Sequence, residues 1–375
     1  MVHLRYMTNK LRIMTLSFKL LLLFFISAVA SCSPKHDLSV SYNNPEIQYW
    51  GRIDTLKTNA AGLYWSGTSI RLNFEGTGIS AMFDEERGDN YYNVIIDNDS
   101  LFILHPDTVQ HYYTLAEGLS AGPHQIEIFK RTEWDRGWSR FYGFKIAGAA
   151  KVLPKPQAKK RKIEFYGNSI TAGYAVDDLS GRDRSDSIFT NNYLSYAKLT
   201  ADYFDAEYRC ICKSGIGITI SWFPLIMPEI YDRLDPSDPE SRWDFSLYRP
   251  DVVVINLFQN DSWLVELPQN EEFKRQFGTE KPTDEFIVES YASFVRSIRK
   301  EYPDAQIICM LGNMDATREG SRWPGLVEAA VKQVDDPEIY TFFEPYKNSP
   351  GHPTVKEQQT MATHLCTFIE ENIKW

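Results

Sequence analysis

Four short blocks of this 375-residue chain hold side chains suited to acyl transfer. In Tyr166-Gly167-Asn168-Ser169-Ile170-Thr171-Ala172-Gly173 a serine stands among small residues, where a sharp turn could expose its hydroxyl. A hydroxyl is a weak nucleophile until a neighbouring base takes its proton, and its attack on an ester creates an oxyanion that needs N–H donors. In Lys213-Ser214-Gly215-Ile216-Gly217-Ile218-Thr219 the glycines allow backbone amides to approach a ligand closely. In Asn256-Leu257-Phe258-Gln259-Asn260-Asp261-Ser262-Trp263 the Asn260 amide can donate to an oxyanion, and Trp263 can form a wall. In Ser349-Pro350-Gly351-His352-Pro353-Thr354 the candidate base is His352. Each block has an ordinary structural alternative: a helix cap, a glycine turn, an Asn-Asp turn, a structural histidine.

The elements around these blocks decide between the two readings. From 163 onward the chain alternates strand and helix. Apolar runs at Ile163–Gly167, Ala206–Lys213, Asp251–Leu257, Ala305–Leu311 and Ile339–Glu344 read as strands. Helical patterns cover 192–204, 284–302, 324–334 and 353–373. Over 284–302, Ile287, Tyr291, Phe294, Val295 and Ile298 keep helical spacing, and Thr283 can cap the start. Such alternation implies a parallel sheet flanked by helices, with ligands at the carboxyl ends of the strands. The candidate residue of each block follows a strand.

Residues 46–150 read differently. Short strand-like runs such as Ser69–Phe74, Tyr91–Ile96, His124–Phe129 and Phe141–Ile146 alternate with turn residues, and no long helical period appears. This predicts an all-β sandwich of jelly-roll type. The polar stretch 33–45 reads as a tether, and the Pro- and Lys-rich stretch 151–162 as a linker to an α/β domain over 163–375.

Ser169, Gly217 (or Gly215), Asn260 and His352, in this order at successive strand ends, resemble the blocks of the SGNH (GDSL-like) hydrolase superfamily. A jelly roll ahead of such a domain is similar to carbohydrate esterase family 2. Leu72-Asn73-Phe74-Glu75-Gly76-Thr77, Tyr91 to Asp97, Gly122-Pro123-His124 and Lys130-Arg131-Thr132-Glu133 carry that likeness. The resemblance implies a serine esterase that removes acetyl from plant-type polysaccharide or oligosaccharide without metal or organic cofactor. Ser169 would be nucleophile and His352 base. The Ser169 and Gly217 amides and the Asn260 side chain would form the oxyanion hole, with Trp263 and Trp323 as walls for sugar. Two other readings use the same residues: an esterase for a lipid, thioester or aryl ester, and a weakly catalytic carbohydrate-binding surface protein.

Three positions depart from the superfamily pattern. Asn168 stands where Asp is common before the serine. A Gly-Thr-Asn-Asp block reads Phe258-Gln259-Asn260-Asp261. No acid stands two or three residues before His352, where Ser349 and Pro350 occur. A catalytic histidine needs its second ring nitrogen hydrogen-bonded. That leaves a backbone carbonyl, giving a Ser-His dyad, or a carboxylate from a distant loop. Some relatives of this two-domain kind use the first solution, so a main-chain oxygen is expected within about 3.2 Å of His352 Nδ1.

The N-terminus looks like a targeting segment. Arg5, Lys10, Arg12 and Lys19 precede or flank a short apolar run, Leu20 to Ile26, and Val29-Ala30-Ser31-Cys32 resembles a bacterial lipobox. Export and lipid attachment at Cys32 to an outer membrane are the expectation. Beyond residue 31 the chain keeps 36 Lys and Arg against 50 Asp and Glu. So acidic a chain repels nucleic-acid backbones. Cys210, Cys212, Cys309 and Cys366 match no metal or redox spacing and read as unpaired core residues.

Overall fold

The computed structural model describes residues 37–375. The leader and Cys32 lie outside the described residues. None of the described helices is long and apolar enough to cross a membrane.

The first part is two antiparallel six-stranded sheets facing each other. Alternation puts one side of each strand inward: Ile70, Leu72 and Phe74 from Ser69–Glu75 and Ile126 and Ile128 from Pro123–Lys130 meet Phe83, Phe141, Phe144 and Ile146 of the other sheet in one core. Part of the expected tether 33–45 belongs to the sandwich. Leu38–Ser41 pairs antiparallel with Ser139–Ala147, Val40 entering the core. The expected linker 151–162 is likewise part of the fold. Lys151–Val152 pairs with Ser69–Glu75, and the Asn73 and Gln48 amides donate to the carbonyls of Pro154 (2.9 Å) and Pro156 (3.2 Å).

The second part is a five-stranded parallel sheet. Its strands Arg161–Gly167, Ala206–Cys212, Val252–Asn256, Gln306–Leu311 and Ile339–Phe343 lie in the order second, first, third, fourth, fifth. Buried on both faces, they are continuous apolar runs. Phe165, Cys210, Val252, Val254 and Met310 pack on the side of helices Tyr196–Tyr203 and Val355–Asn372, while Tyr166, Ile211, Val253 and Ile255 pack on the side of Asp284–Glu301 and Trp323–Val334. The Thr283 side chain caps Asp284–Glu301 by accepting from the Phe286 amide. The order reverses between the first and third strands, which opens a crevice at their carboxyl ends. Cys210, Cys212, Cys309 and Cys366 are free and buried.

The two parts share a polar core. Arg52 donates to Glu164 at 3.0 Å, both fully buried, and to the carbonyls of Tyr231 (2.6 Å) and Arg233 (2.9 Å). An unpaired charge there would be costly, so these contacts act together.

Candidate active site

Ser169 opens a four-residue helix, Ser169–Ala172, directly after the first strand. Asn168 is the cap: its Oδ1 accepts from the Ile170 amide at 3.0 Å, and Gly173 ends the helix in the left-handed region. The turn is fixed from beneath. Buried Gln358, on the helix that follows His352, donates to the Ile170 carbonyl (2.9 Å) and accepts from the Tyr196 amide (2.7 Å). The Tyr196 hydroxyl bonds Thr171 and Asn256, both at 3.0 Å.

His352 Nε2 lies 2.8 Å from Ser169 Oγ. The expected main-chain acceptor for Nδ1 is not what stands there. Asp183 is, with Oδ1 and Oδ2 at 2.9 and 2.8 Å, and Oδ1 also accepts from the His352 amide at 3.1 Å. The arrangement is a Ser-His-Asp line, the distant-loop alternative. Burial pushes the Asp183 carboxyl up, but His352 outweighs it and holds Asp183 below the ordinary carboxylate range. Asp183 sits at φ 58°, a left-handed conformation that aspartate tolerates better than most residues. The Tyr174 ring packs on His352 with centroids 4.5 Å apart.

The glycine block divides its roles. The Gly217 amide donates to Ser221 Oγ at 2.9 Å, and a side chain at 217 would run into the Ile220 carbonyl and the Asp261 carboxylate. Gly217 is therefore a packing glycine, and its N–H is committed. Gly215, at φ 83°, keeps an amide with no partner among the described residues, as does Ser169. Asn260 is tied to the same loop: Nδ2 donates to the Ile216 carbonyl (2.7 Å), and Oδ1 accepts from the Trp222 indole (3.2 Å). Buried Asp261 accepts from the amides of Ile218 and Thr219 and from the Thr219 hydroxyl, locking the glycine loop to the Asn260 helix. Burial pushes its carboxyl up while those amides pull it down, leaving a net rise.

The helix Gln259–Leu264 begins after Phe258, which stands at φ 80°. Glycine meets that demand freely, and a bulky residue is strained there. Packing offsets the strain, since the Phe258 ring lies 4.6 Å from Tyr291 and 4.9 Å from Trp323 between centroids.

A cleft of about 270 Å³ opens beside the histidine, lined by His352, Asp183, Trp263, Asp315, Arg318 and Lys347 among others. The Trp263 indole donates to Asp315 Oδ2 at 3.0 Å, which fixes its ring at the cleft. Trp323 does not line it. The first residue of its helix, Trp323 turns into the core and is 5% exposed, so its reading as a wall is corrected. Trp222, 45% exposed and bonded to Asn260, is an aromatic beside the site that sequence reasoning missed; its place just after the glycine block was the signal. Among the described residues, no cluster of His, Cys, Asp and Glu could hold a metal ion.

A serine, an imidazole and a carboxylate in hydrogen-bonded line at the carboxyl edge of a parallel sheet define the arrangement of a serine ester hydrolase. Residues 49–156 match the family model described as the carbohydrate esterase 2 N-terminal domain. The chain is 31% identical to a structure of a family two carbohydrate esterase from Clostridium thermocellum in complex with cellohexaose, covering 87% of this chain and 98% of that one with a TM-score of 0.75. It belongs to carbohydrate esterase family 2. It is also similar to the cellulase/esterase CelE of Acetivibrio thermocellus (33% identity over 89% of this chain) and spans 40% of that protein's length. To an acetylxylan esterase / glucomannan deacetylase of Cellvibrio japonicus it is 25% identical, over 96% of this chain and all of that protein.

Proposed function

We propose that the protein is a serine esterase that removes acetyl groups from plant-type polysaccharide or oligosaccharide. The Ser169–His352–Asp183 line carries this reading. His352 Nε2 takes the Ser169 proton as Oγ attacks the acetyl carbonyl. The Ser169 and Gly215 amides and the uncommitted Asn260 N–H hold the oxyanion. The tetrahedral adduct collapses, His352 returns the proton to the departing sugar oxygen, and an acetyl-serine remains. Water, deprotonated by His352, then attacks that ester, releasing acetate and restoring Ser169. Asp183 keeps the correct tautomer and stabilises the imidazolium.

Family membership supports the ester class, and the aromatic cleft beside His352 supports a sugar. Acetate release from acetylated xylan, glucomannan and pectin, followed by mass spectrometry, tests it. The wild type should release acetate and Ser169→Ala should not; turnover by Ser169→Ala near that of the wild type would overturn the assignment.

The same proposal reads the sandwich as a jelly roll and the leader as a lipoprotein signal. The order of cations, apolar run and Val-Ala-Ser-Cys supports export and attachment to an outer membrane through Cys32. Fatty-acid labelling of cells should mark the wild type and not Cys32→Ala.

A further inference from the structure

The segment that leaves the sandwich after Pro123–Lys130 enters the α/β part and grips two of its loops. One is the loop between the second strand and Gly215. Glu133, 1% exposed, accepts from the Ser214 amide through Oε2 and from the Ser214 hydroxyl through Oε1 at 2.6 Å. The Ser214 carbonyl accepts from Lys213 Nζ at 3.1 Å, and that ammonium lies 3.0 Å from Asp135 Oδ2. The other is the loop that carries Asp183. Arg131 pairs with Asp177 and donates to the Ile188 carbonyl (2.9 Å), and Arg136 donates to the Ser185 carbonyl (3.1 Å).

A peptide unit is planar and trans, so its C=O and N–H point in opposite directions. The Ser214 carbonyl and the Gly215 N–H belong to one such unit. Fixing the carbonyl through Lys213 and Asp135, and the preceding amide through Glu133, fixes where the Gly215 N–H points. We propose that Glu133 is a positioning residue for acetyl transfer: the sandwich, through Glu133, Lys213 and Asp135, orients the Gly215 amide toward the oxyanion. The inference rests on the proposed role of Gly215. It makes the first domain part of the catalytic framework and not a separable sugar-binding module.

The full-length chain tests it on a small aryl acetate, which needs no extended sugar site. Glu133→Ala should lower kcat by about 10- to 100-fold with KM within about three-fold, the cost of a small misplacement at the reacting centre. Glu133→Gln should recover most of that loss, because its amide can still accept from the Ser214 N–H and donate to the Ser214 hydroxyl. Ser214→Ala, which deletes one bond and no buried charge, should show a smaller drop in kcat and serves if Glu133→Ala fails to fold. Unchanged kcat in both Glu133→Ala and Ser214→Ala, or a loss that Glu133→Gln does not recover, would overturn the clamp. Asn260→Ala separates the two levels. If Asn260→Ala loses about 100- to 1,000-fold while the Glu133 and Ser214 variants lose nothing, the clamp fails and the oxyanion reading stands. If Asn260→Ala is also unaffected, the oxyanion reading itself fails.

Discussion

Asp183 reaches His352 from a loop 169 residues earlier in the chain, and its carboxylate meets both the ring Nδ1, at 2.8–2.9 Å, and the backbone amide of the same histidine, at 3.1 Å. One carboxylate thereby fixes both the rotation of the imidazole and the backbone that carries it. A carbonyl could set the tautomer but would stabilise the imidazolium less.

This makes Asp183→Asn informative. The amide keeps the shape and removes the charge, and it can present an N–H to Nδ1, favouring the wrong tautomer. Turnover on a chromogenic acetate should fall by about 100- to 10,000-fold with KM nearly unchanged. The low-lying carboxyl of Asp183 adds a stability effect. A group with a depressed folded-state pKa contributes stability above its unfolded pKa and loses it as pH falls through the folded value. Replacing the carboxylate by a neutral amide removes that pH-dependent contribution, so Asp183→Asn should narrow the stability gap between pH 7 and pH 3 in thermal melts. A full-rate variant would leave the histidine oriented by something else.

What the sequence made legible was the set of positions a sheet must expose. Ser169, Asn260 and His352 each follow a strand, and the apolar runs located the strands. The acid was hidden because the loop between Gly173 and Thr190 holds Asp177, Asp178, Asp183 and Asp186 without any repeating pattern, and only the tertiary path selects one. Gly215 and Gly217 are equivalent on paper; the hydrogen bond from the Gly217 amide to Ser221 tells them apart. Leu38 and Val40 alternate as a strand should, yet the polar residues around them read as a tether.

Phe258 sits where the superfamily block carries glycine, and two opposing effects meet there. Phe258→Gly should relieve left-handed backbone strain worth about 1–2 kcal/mol and lose buried aromatic packing worth about 3–5 kcal/mol. Packing is the larger, so the variant should melt lower by an amount equivalent to about 1–4 kcal/mol, the difference of those two ranges. A variant more stable than the wild type would mean that strain dominates.

The two tryptophans once paired as walls should now part. Trp263→Ala removes a ring at the cleft and should raise KM on acetylated oligosaccharide several-fold while leaving a small aryl acetate nearly unaffected. Trp323→Ala empties a core position and should cost about 3–5 kcal/mol in stability, seen in denaturant melts, with KM little changed in the protein that stays folded. A swap of these two outcomes would return Trp323 to the cleft.

Glu344 gives a pH dependence that owes nothing to catalysis. It follows the last strand, is buried, and accepts from His364 Nδ1 at 2.9 Å through one oxygen while the other has no partner among the described residues. Burial pushes its carboxyl up to about 7, against the pull of His364. The folded chain therefore holds a proton on Glu344 where the unfolded chain has lost it. Between the ordinary glutamate value, about 4.3, and about 7, stability must fall as pH rises, because the folded state binds more protons across that window. Above it the whole penalty is present. Glu344→Gln is neutral throughout and can still accept from His364. Its melting temperature should come close to that of the wild type near pH 4 and exceed it increasingly toward pH 8. The gap should approach the equivalent of about 4 kcal/mol, at roughly 1.4 kcal/mol per unit of pKa over the window from about 4.3 to about 7. Melts of both proteins at half-unit steps from pH 4 to 8 measure it directly, and a gap that stays constant across that range would mean that the buried carboxyl does not change its charge there.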